Sequence, residues 1–277
     1  MLDQDHFSSY AMGHWLRSDS SGRQVRSAVT GETLGVLGGV PDVAAMRDYA
    51  KSHGGPALRA LNFHDRARML KALALHLKAH RKALYDLSFL TGATLADSQI
   101  DIDGGIGTLL VYASKGRREM PEGFVLPDGE LEVLSRDGSF LGQHVLTPRQ
   151  GISLQINAFN FPVWGMLEKL APSLLAGVPS LVKPASDTGY VAQAVVRLIA
   201  DSGILPDGAL QLIMGATGDL LDCLDAQDTV GFTGSAATAM ALRSRPSLLQ
   251  NAVRFTAEQD SLNGSVLGPD IEPGSTE

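Results

Sequence analysis

Several residues stand where short apolar runs end, and their types could carry out chemistry on a small molecule. Glu258 closes the run "VRFTA", where a carboxylate can act as a general base. Lys183 closes "PSLV", Asn160 lies in "NAFNFP", and Gly234-Ser235 follows "TVGFT". An amide can donate to a developing oxyanion, and a strand–Gly-Ser–helix junction offers free N–H groups to a phosphate.

Each of these residues also has a common structural role. Ser235 could simply cap a helix, and Asn160 could be a cap or turn residue before Pro162. Lys183 could be a solvated side chain at a strand end, and Glu258 could be a surface glutamate that forms a salt bridge at a loop. For a lone strand–Gly-Ser–helix unit, the capping role is favoured by roughly two to one. The arrangement of the residues therefore has to decide.

The elements around these residues alternate between strands and helices from Gly151 onward. We predict strands at "ISLQINA", "PSLVK", "ALQLIM", "DTVGFT" and "VRFTAE", with helices between them, including a short helix at "GDLLDCLDA". Short connections between such units imply a doubly wound α/β fold with a parallel sheet. Ligands bind such sheets beyond the carboxyl ends of the strands, which is where the candidate residues lie. This edge also carries Asn157 and the stretch from Gly215 to Gly218.

The part of the chain before Gly151 predicts helices followed by a β-hairpin. Helical spacing runs through "PDVAAMRDYAKSHGG", "FHDRARMLKALALHLKAHRKALYDLSFL" and "DSQIDIDGGIGTLLVYASKG", where the glycines are interpreted as helix-packing positions. Two semi-alternating runs flank Asp137-Gly138, a strong hairpin pattern. We divide the chain into an N-terminal helical part (1–124), a hairpin arm (125–150), a nucleotide-binding core (151–258) and the start of a further domain (259–277).

Composition limits the classes of function. The chain has 277 residues and a formal charge of −7, which argues against a nucleic-acid or anionic-membrane surface as its main function. It has one cysteine, Cys223, which excludes an intrachain disulfide and, among leucines, is expected to be a buried apolar residue. No signal peptide or transmembrane span is predicted, so we expect a cytoplasmic protein. His76 and His80 lack an acidic partner at ligand spacing, so no metal site is expected.

Taken together, the motifs come in the order of a known family. The chain resembles the aldehyde dehydrogenase superfamily over nearly its whole length, through "NAFNFPVWGMLEKLAPSLLAGVPSLVKPAS", "GILPDGALQLI", "GFTGSAAT" and the strand-end glutamate. "DIDGGIGTLLVYAS" and "EQDSLN" resemble the branch that oxidises a coenzyme A-linked semialdehyde in phenylacetate ring degradation. An aldehyde-dehydrogenase-like fold is therefore expected.

The resemblance implies a role for each matched residue. Asn160 would hold the substrate oxygen, Lys183 would bind the cofactor ribose, and Glu258 would activate the water that hydrolyses a thioester. Gly234 and Ser235 would lie by the pyrophosphate and the nicotinamide. The predicted cofactor surface is completed by Phe159, Ser186, Gly215, Gly218 and Phe232.

Two positions depart from the family pattern. Phe159 stands where many members have tryptophan, and Ser186 stands where NAD-preferring members often have glutamate. A neutral serine would not repel a 2′-phosphate, so we predict NADP as the cofactor, with NAD as the alternative. The resemblance also implies a homo-oligomer formed through the hairpin arm.

The family's nucleophilic cysteine belongs several tens of residues after the glutamate, in a "GQKC"-like segment. The chain stops at Glu277, so we expect a fragment that carries the cofactor-binding part and the general base, inactive alone. The alternative is a catalytically inactive nucleotide-binding or oligomer-scaffold protein. An unrelated Rossmann reductase would need a G-x-G-x-x-G fingerprint after a strand, which the sequence does not have.

Overall fold

The computed structural model describes residues 7–17, 22–39, 41–216 and 218–260, together with Val266 and Gly268. Its strands are β1 (Ser8–Ala11), β2 (His14–Arg17), β3 (Arg23–Arg26), β4 (Thr33–Leu37), β5 (Leu126–Val133), β6 (Leu141–Leu146), β7 (Ser153–Ile156), β8 (Ser180–Lys183), β9 (Leu210–Leu212), β10 (Thr229–Gly234) and β11 (Arg254–Gln259). Its helices are α1 (Val43–Tyr49), α2 (Gly55–Arg59), α3 (Phe63–Ser88), α4 (Leu95–Arg118), α5 (Trp164–Leu175), α6 (Gly189–Asp201), α7 (Ala236–Arg243) and α8 (Pro246–Gln250). A π-helical turn, Ala50–Gly54, joins α1 to α2.

The central sheet has seven strands in the order β11-β10-β7-β8-β9-β1-β2. The five strands from β11 to β9 are parallel, and β1 and β2 are added antiparallel at one edge. The predicted α/β fold with a doubly wound, mainly parallel sheet is therefore confirmed. From β7 the chain adds β8 and β9 on one side of the sheet, and it later adds β10 and β11 on the other side. The direction in which strands are added therefore reverses between β7 and β10.

The helices cover the two faces of this sheet separately. On the first face α5 and α6 pack on the sheet, and α3 and α4 pack against them in one apolar core. On the second face Met46 of α1, Ala239 of α7 and Leu248 of α8 cover residues such as Leu154 and Val230. The crossovers after β7 and β8 thus lie on one face, and the crossover after β10 lies on the other.

The long helices α3 and α4 begin at capping boxes. Asn62 accepts from the backbone N–H of Asp65, and Thr94 accepts from that of Asp97, while both aspartates reach back to their caps. In α4 the helix-packing interpretation holds for two glycines. A Cβ on Gly104 would lie 2.6 Å from the Trp164 ring, and one on Gly105 would lie 3.1 Å from the Trp164 Cα, whereas Gly107 faces open space.

Two parts of the chain differ from the sequence prediction. The strands β1 to β4 precede the first helix in a region that we predicted to be helical. Each strand has only four or five residues, which is too few to show alternation. The stretch "GDLLDCLDA" forms turns instead of a helix. There Asp225 accepts from the backbone N–H of Gln227, so its side chain competes with helix formation.

The predicted hairpin is present as β5 and β6, paired antiparallel around the turn that contains Asp137 and Gly138. Among the described residues, no helix is long and apolar enough to cross a membrane. The predicted opening of a further domain at 259–277 lies mostly outside the described residues.

A buried carboxylate ties α1 to the amino edge of the sheet. Asp228, fully buried before β10, accepts from the backbone N–H of Ile152 at 2.9 Å and from Arg47 Nε at 2.8 Å. It also accepts from the N–H of Asp225, whose own carboxylate pairs with Arg47 and Lys51. Every partner is satisfied within one network, which fixes the starts of β7 and β10 relative to each other.

We predict that Asp228→Ala destabilises the chain by roughly 3–5 kcal/mol, because it leaves a largely buried guanidinium and two backbone N–H groups without their acceptor. Asp48→Ala removes a neighbouring carboxylate whose side chain is 75% exposed, and should cost less than about 1 kcal/mol. Urea unfolding of both variants measures the difference. Equal losses would show that Asp228 has no special place in the network.

Candidate active site at the carboxyl edge of the sheet

A crevice opens where the strand order reverses. Ile156 at the end of β7 is paired in register with Phe232 of β10, so the loops that follow these strands begin side by side. The chain leaves β7 toward the first face and leaves β10 toward the second face. Such a point is the usual ligand-binding position in open α/β sheets.

Lys183 lies on the second face of the sheet. It is paired with Ile156, and its strand neighbour Leu181 belongs to the core of that face. The side chain is only 7% exposed, and its Nζ donates to the carbonyl of Pro184 at 2.9 Å. Burial lowers the pKa of Lys183. One partner leaves further N–H donors of the ammonium group available to a ligand.

The loop after Lys183 is fixed from both sides. Ser186 is half-buried, and its neighbour Asp187 forms an ion pair with Arg23 of β3. The hydroxyl of Thr188 donates to the carbonyl of Phe159 at 2.8 Å, which ties this loop to the one after β7. The ring of Phe159 is 65% exposed and therefore available for contact.

The start of α7 is occupied by side chains of the chain itself. Ser235 accepts from the backbone N–H of Thr238 at 3.2 Å, so the capping role of this residue is present. Asp260 accepts from the N–H of Ala236 at 2.7 Å, an interaction that the sequence did not predict. Phe232 is buried and stacks on Phe255, and its ring lies under Gly234, where a Cβ would approach to 2.6 Å.

The remaining predicted glycines follow β9. Gly215 and Gly218 both have positive φ, at 145° and 44°, so this loop turns in a way that favours glycine. The carbonyl of Gly218 accepts from Arg245 at 3.5 Å, which links the loop to the start of α8. These glycines lie two strand positions from β7, so they are separated from Asn160 and Glu258.

Asn160 lies exposed in the loop between β7 and α5. Asn160 does not cap the following helix. Helix α5 begins at Trp164, and the side chain of its N-cap residue, Val163, makes no capping hydrogen bond. The cap comes from α4 instead. Asp101 accepts from the backbone N–H of Trp164 at 2.7 Å and of Val163 at 3.1 Å. This contact was not predicted, because Asp101 and Trp164 are far apart in the chain.

Glu258 opens onto a cleft on the first face of the sheet. It is paired with Thr233, whose hydroxyl donates to Glu258 Oε2 at 3.3 Å, and its side chain is exposed. The cleft has a volume of about 810 Å³ and includes Trp164 and Lys169 of α5. Lys169 Nζ lies 3.0 Å from Glu168 and 3.1 Å from the carbonyl of Gly165. Glu258 is therefore reachable by water and by a ligand in the cleft.

The predicted residues thus fall on two sides of one edge. Lys183 and Ser235 lie toward the second face, Glu258 lies toward the first, and the Asn160 loop lies between them.

Asn157, the first residue after β7, is 4% exposed, and within the described residues its amide has no hydrogen-bond partner. Such an amide usually binds a water or a ligand.

Cys223 lies elsewhere. Its Sγ contacts the carbonyl of Leu220, and it lines a separate cavity of about 430 Å³ with Asp42 and Asp219. Burial raises the pKa of the thiol, which disfavours the nucleophilic thiolate. Among the described residues, no group of three or more His, Cys, Asp or Glu side chains could hold a metal ion.

Comparisons with known proteins agree with this geometry. The model of the aldehyde dehydrogenase family matches residues 15–272. A 3,4-dehydroadipyl-CoA semialdehyde dehydrogenase of Aromatoleum evansii is 42% identical over 97% of this chain and 52% of its own length. A D-glyceraldehyde dehydrogenase (NADP(+)) of Picrophilus torridus is 28% identical over 86% of this chain and 47% of its own.

Solved structures show the same fold. A betaine aldehyde dehydrogenase from Staphylococcus aureus in complex with NAD+ superposes with a TM-score of 0.76 at 24% identity, covering 93% of this chain and 50% of that one. The chain thus spans about half the length of the relatives it matches. With a family match along most of its length and a relative at 42% identity, the chain belongs to the aldehyde dehydrogenase family.

Proposed function

We propose that this chain supplies the cofactor-binding part and the general base for NADP-dependent oxidation of an aldehyde to a carboxylic acid. The observation that carries the proposal is the arrangement at the carboxyl edge. Lys183 is buried on one side of the β7–β10 crevice, and Glu258 opens onto a cleft on the other, with the Asn160 loop between them.

The residues on the second face fit a nicotinamide dinucleotide. The ammonium group of Lys183 has donors to spare for ribose hydroxyls, and Ser186 beside it is small and neutral. The neutral Ser186 would not repel a 2′-phosphate, which supports NADP over NAD. At α7 the carboxylate of Asp260 holds one N–H group, so a pyrophosphate there would have to displace it or bind beside it.

The first face supports the chemistry of the substrate. A nicotinamide cofactor, when bound, would supply the hydride acceptor for an aldehyde carbon to which a nucleophile has added. The Asn160 amide is exposed at the edge, where it can donate to the substrate oxygen as negative charge develops. Glu258 can take a proton from the water that hydrolyses the thioester expected of this family, and the carboxylic acid then forms as the thiolate leaves. We assign no nucleophile among the described residues, since Cys223 lies in another cavity.

The substrate class rests on similarity. The relative at 42% identity is a 3,4-dehydroadipyl-CoA semialdehyde dehydrogenase, and the match covers 97% of this chain. We infer a coenzyme A-linked semialdehyde from aromatic ring degradation as the substrate. The 810 Å³ cleft at Glu258 is large enough for the acyl part of such a molecule.

The hairpin favours a role in assembly as well. Apolar side chains on and beside β5 and β6 are exposed, among them Val133 at 62%, Phe140 at 62% and Leu146 at 53%. Exposed apolar strands are usually covered by a partner. We propose that the arm joins copies into a homo-oligomer. The same observation supports the alternative function, a catalytically inactive nucleotide-binding or scaffold protein.

Binding of the reduced cofactor tests the proposal directly. NADPH should bind the chain, and Lys183→Ala should weaken binding by about 10- to 100-fold, because hydrogen bonds from a charged donor are lost. Lys71→Ala, an exposed lysine on α3, should leave binding unchanged. The enhancement of NADPH fluorescence on titration measures the Kd. Absence of binding by the unmodified chain would overturn the proposed function.

Cofactor preference is tested at Ser186. We expect Ser186→Glu to weaken NADPH binding about tenfold or more relative to NADH, because the new carboxylate repels the 2′-phosphate. Ser114→Glu, the same change at an exposed position of α4, controls for the added charge. An unchanged ratio of the two dissociation constants would remove the charge argument for NADP.

A further inference from the structure

The loop that carries Asn160 is anchored at both ends by side chains from other elements. At its start, the carbonyl of Phe159 accepts from the hydroxyl of Thr188 at 2.8 Å. At its end, Asp101 of α4 accepts from the backbone N–H groups of Val163 and Trp164. Asn160 itself lies exposed between these two anchors. Its position relative to the crevice therefore depends on the anchors and not on its own contacts.

Asp101 is an unusual choice for a structural cap. The residue is 3% exposed, and burial raises its pKa to about 6 against the N–H bonds that lower it. A pKa above the ordinary carboxyl value means that folding favours the protonated form. Keeping Asp101 ionised in the folded chain therefore lowers the free energy of unfolding. This loss is absent at low pH and complete above about pH 6. A neutral amide could accept the same N–H groups without that cost.

The packing around Asp101 leaves α5 little freedom to adjust. One turn further along α4, Gly104 and Gly105 lie against Trp164. A Cβ on Gly104 would overlap with the Trp164 ring, and one on Gly105 would crowd the Trp164 backbone. Trp164 in turn lines the Glu258 cleft. Its ring packs edge-on against that of Phe161, with 6.0 Å between the ring centroids. The same stretch of α4 therefore fixes the first turn of α5, one wall of the cleft and the end of the Asn160 loop.

We propose that Asp101 is a positioning residue, which holds the first turn of α5 and thereby sets where the Asn160 amide lies relative to Glu258. The inference rests on the proposed function, since the role of Asn160 belongs to aldehyde oxidation. Asp101 itself touches neither the crevice nor the reacting atoms. It acts through two backbone N–H groups that follow Asn160 closely in the chain.

The titratable groups on the packed elements have partners of their own. On α4, Asp97 bonds Thr94, and Asp103 accepts from Tyr85 of α3 at 2.7 Å with Arg81 nearby at 3.7 Å. On α5, Glu168 and Lys169 pair at 3.0 Å. Desolvation by burial is thus the cause of the raised pKa of Asp101, and the two N–H bonds only partly oppose it, so a local transition near pH 6 reports on this residue.

The fluorescence of Trp164 tests the proposal, because the backbone N–H group of Trp164 donates to Asp101. The chain has two tryptophans, so Trp15→Phe leaves Trp164 as the reporter. In that background, emission should change with a midpoint near pH 6. Asp101→Asn should abolish the transition, whereas Asp103→Asn should retain it. A transition that persists in Asp101→Asn would overturn the proposal.

Acrylamide quenching separates positioning from general destabilisation. At pH 8, Asp101→Ala should raise quenching of Trp164 about twofold, since the first turn of α5 loses its cap. Asp101→Asn should restore quenching to the unmodified value, because its amide oxygen accepts the same N–H groups. Thr94→Ala removes the cap of α4 itself and should leave quenching unchanged. Equal quenching in Asp101→Ala and the unmodified chain, or an equal rise in Thr94→Ala, would contradict the role.

NADPH binding keeps this test distinct from that of the proposed function. If the pH transition and the quenching pattern fail while NADPH still binds, the positioning role is wrong and the cofactor proposal stands. If NADPH does not bind while Trp164 responds as expected, Asp101 still holds the loop, but the loop serves another ligand.

Discussion

The pairing of β7 with β10 is the constraint on which the site depends. Four residues of each strand are in register, from Ser153 with Thr229 to Ile156 with Phe232. Because the crossovers that follow these strands lie on opposite faces, the chain cannot close the edge between them. The crevice is thus a consequence of topology. Lys183 and Glu258 then lie at the crevice because each ends a strand that neighbours this pair.

The buried polar groups at the two edges of the sheet differ in how many hydrogen-bond partners they have. At the amino edge, Asp228 has its partners in Arg47 and in two backbone N–H groups. At the carboxyl edge, Lys183 has one backbone partner, and the amide of Asn157 has none within the described residues. Unsatisfied groups cost stability, and proteins keep them where a ligand completes them. The contrast supports the proposal that the carboxyl edge is the functional one.

Much of this arrangement could be predicted from the sequence. The strand–helix alternation after Gly151 and the long helices α3 and α4 carry strong periodicity, and Asp137-Gly138 marks the hairpin turn. Strand ends then place Lys183, Glu258 and the Asn160 loop at one edge without further information. The capping role of Ser235 follows from its position between a strand and a helix.

The rest depends on contacts between residues distant in the chain. Asp101 caps a helix that begins 63 residues later, and Asp260 reaches back to the N–H of Ala236. No local pattern encodes either contact. Phe232 was predicted to belong to the cofactor surface, and its ring is buried under Gly234. The strands β1 to β4 are too short for their alternation to be seen.

Hydrogen–deuterium exchange of the chain with and without NADP+ tests the central claim that the β7–β10 crevice binds the cofactor. The account predicts slower exchange on binding in residues 157–163, 183–188 and 234–238, with the amino edge around Asp228 unchanged. Protection that appears instead around Cys223 and Asp42, with none in the loops after β7, β8 and β10, would contradict it.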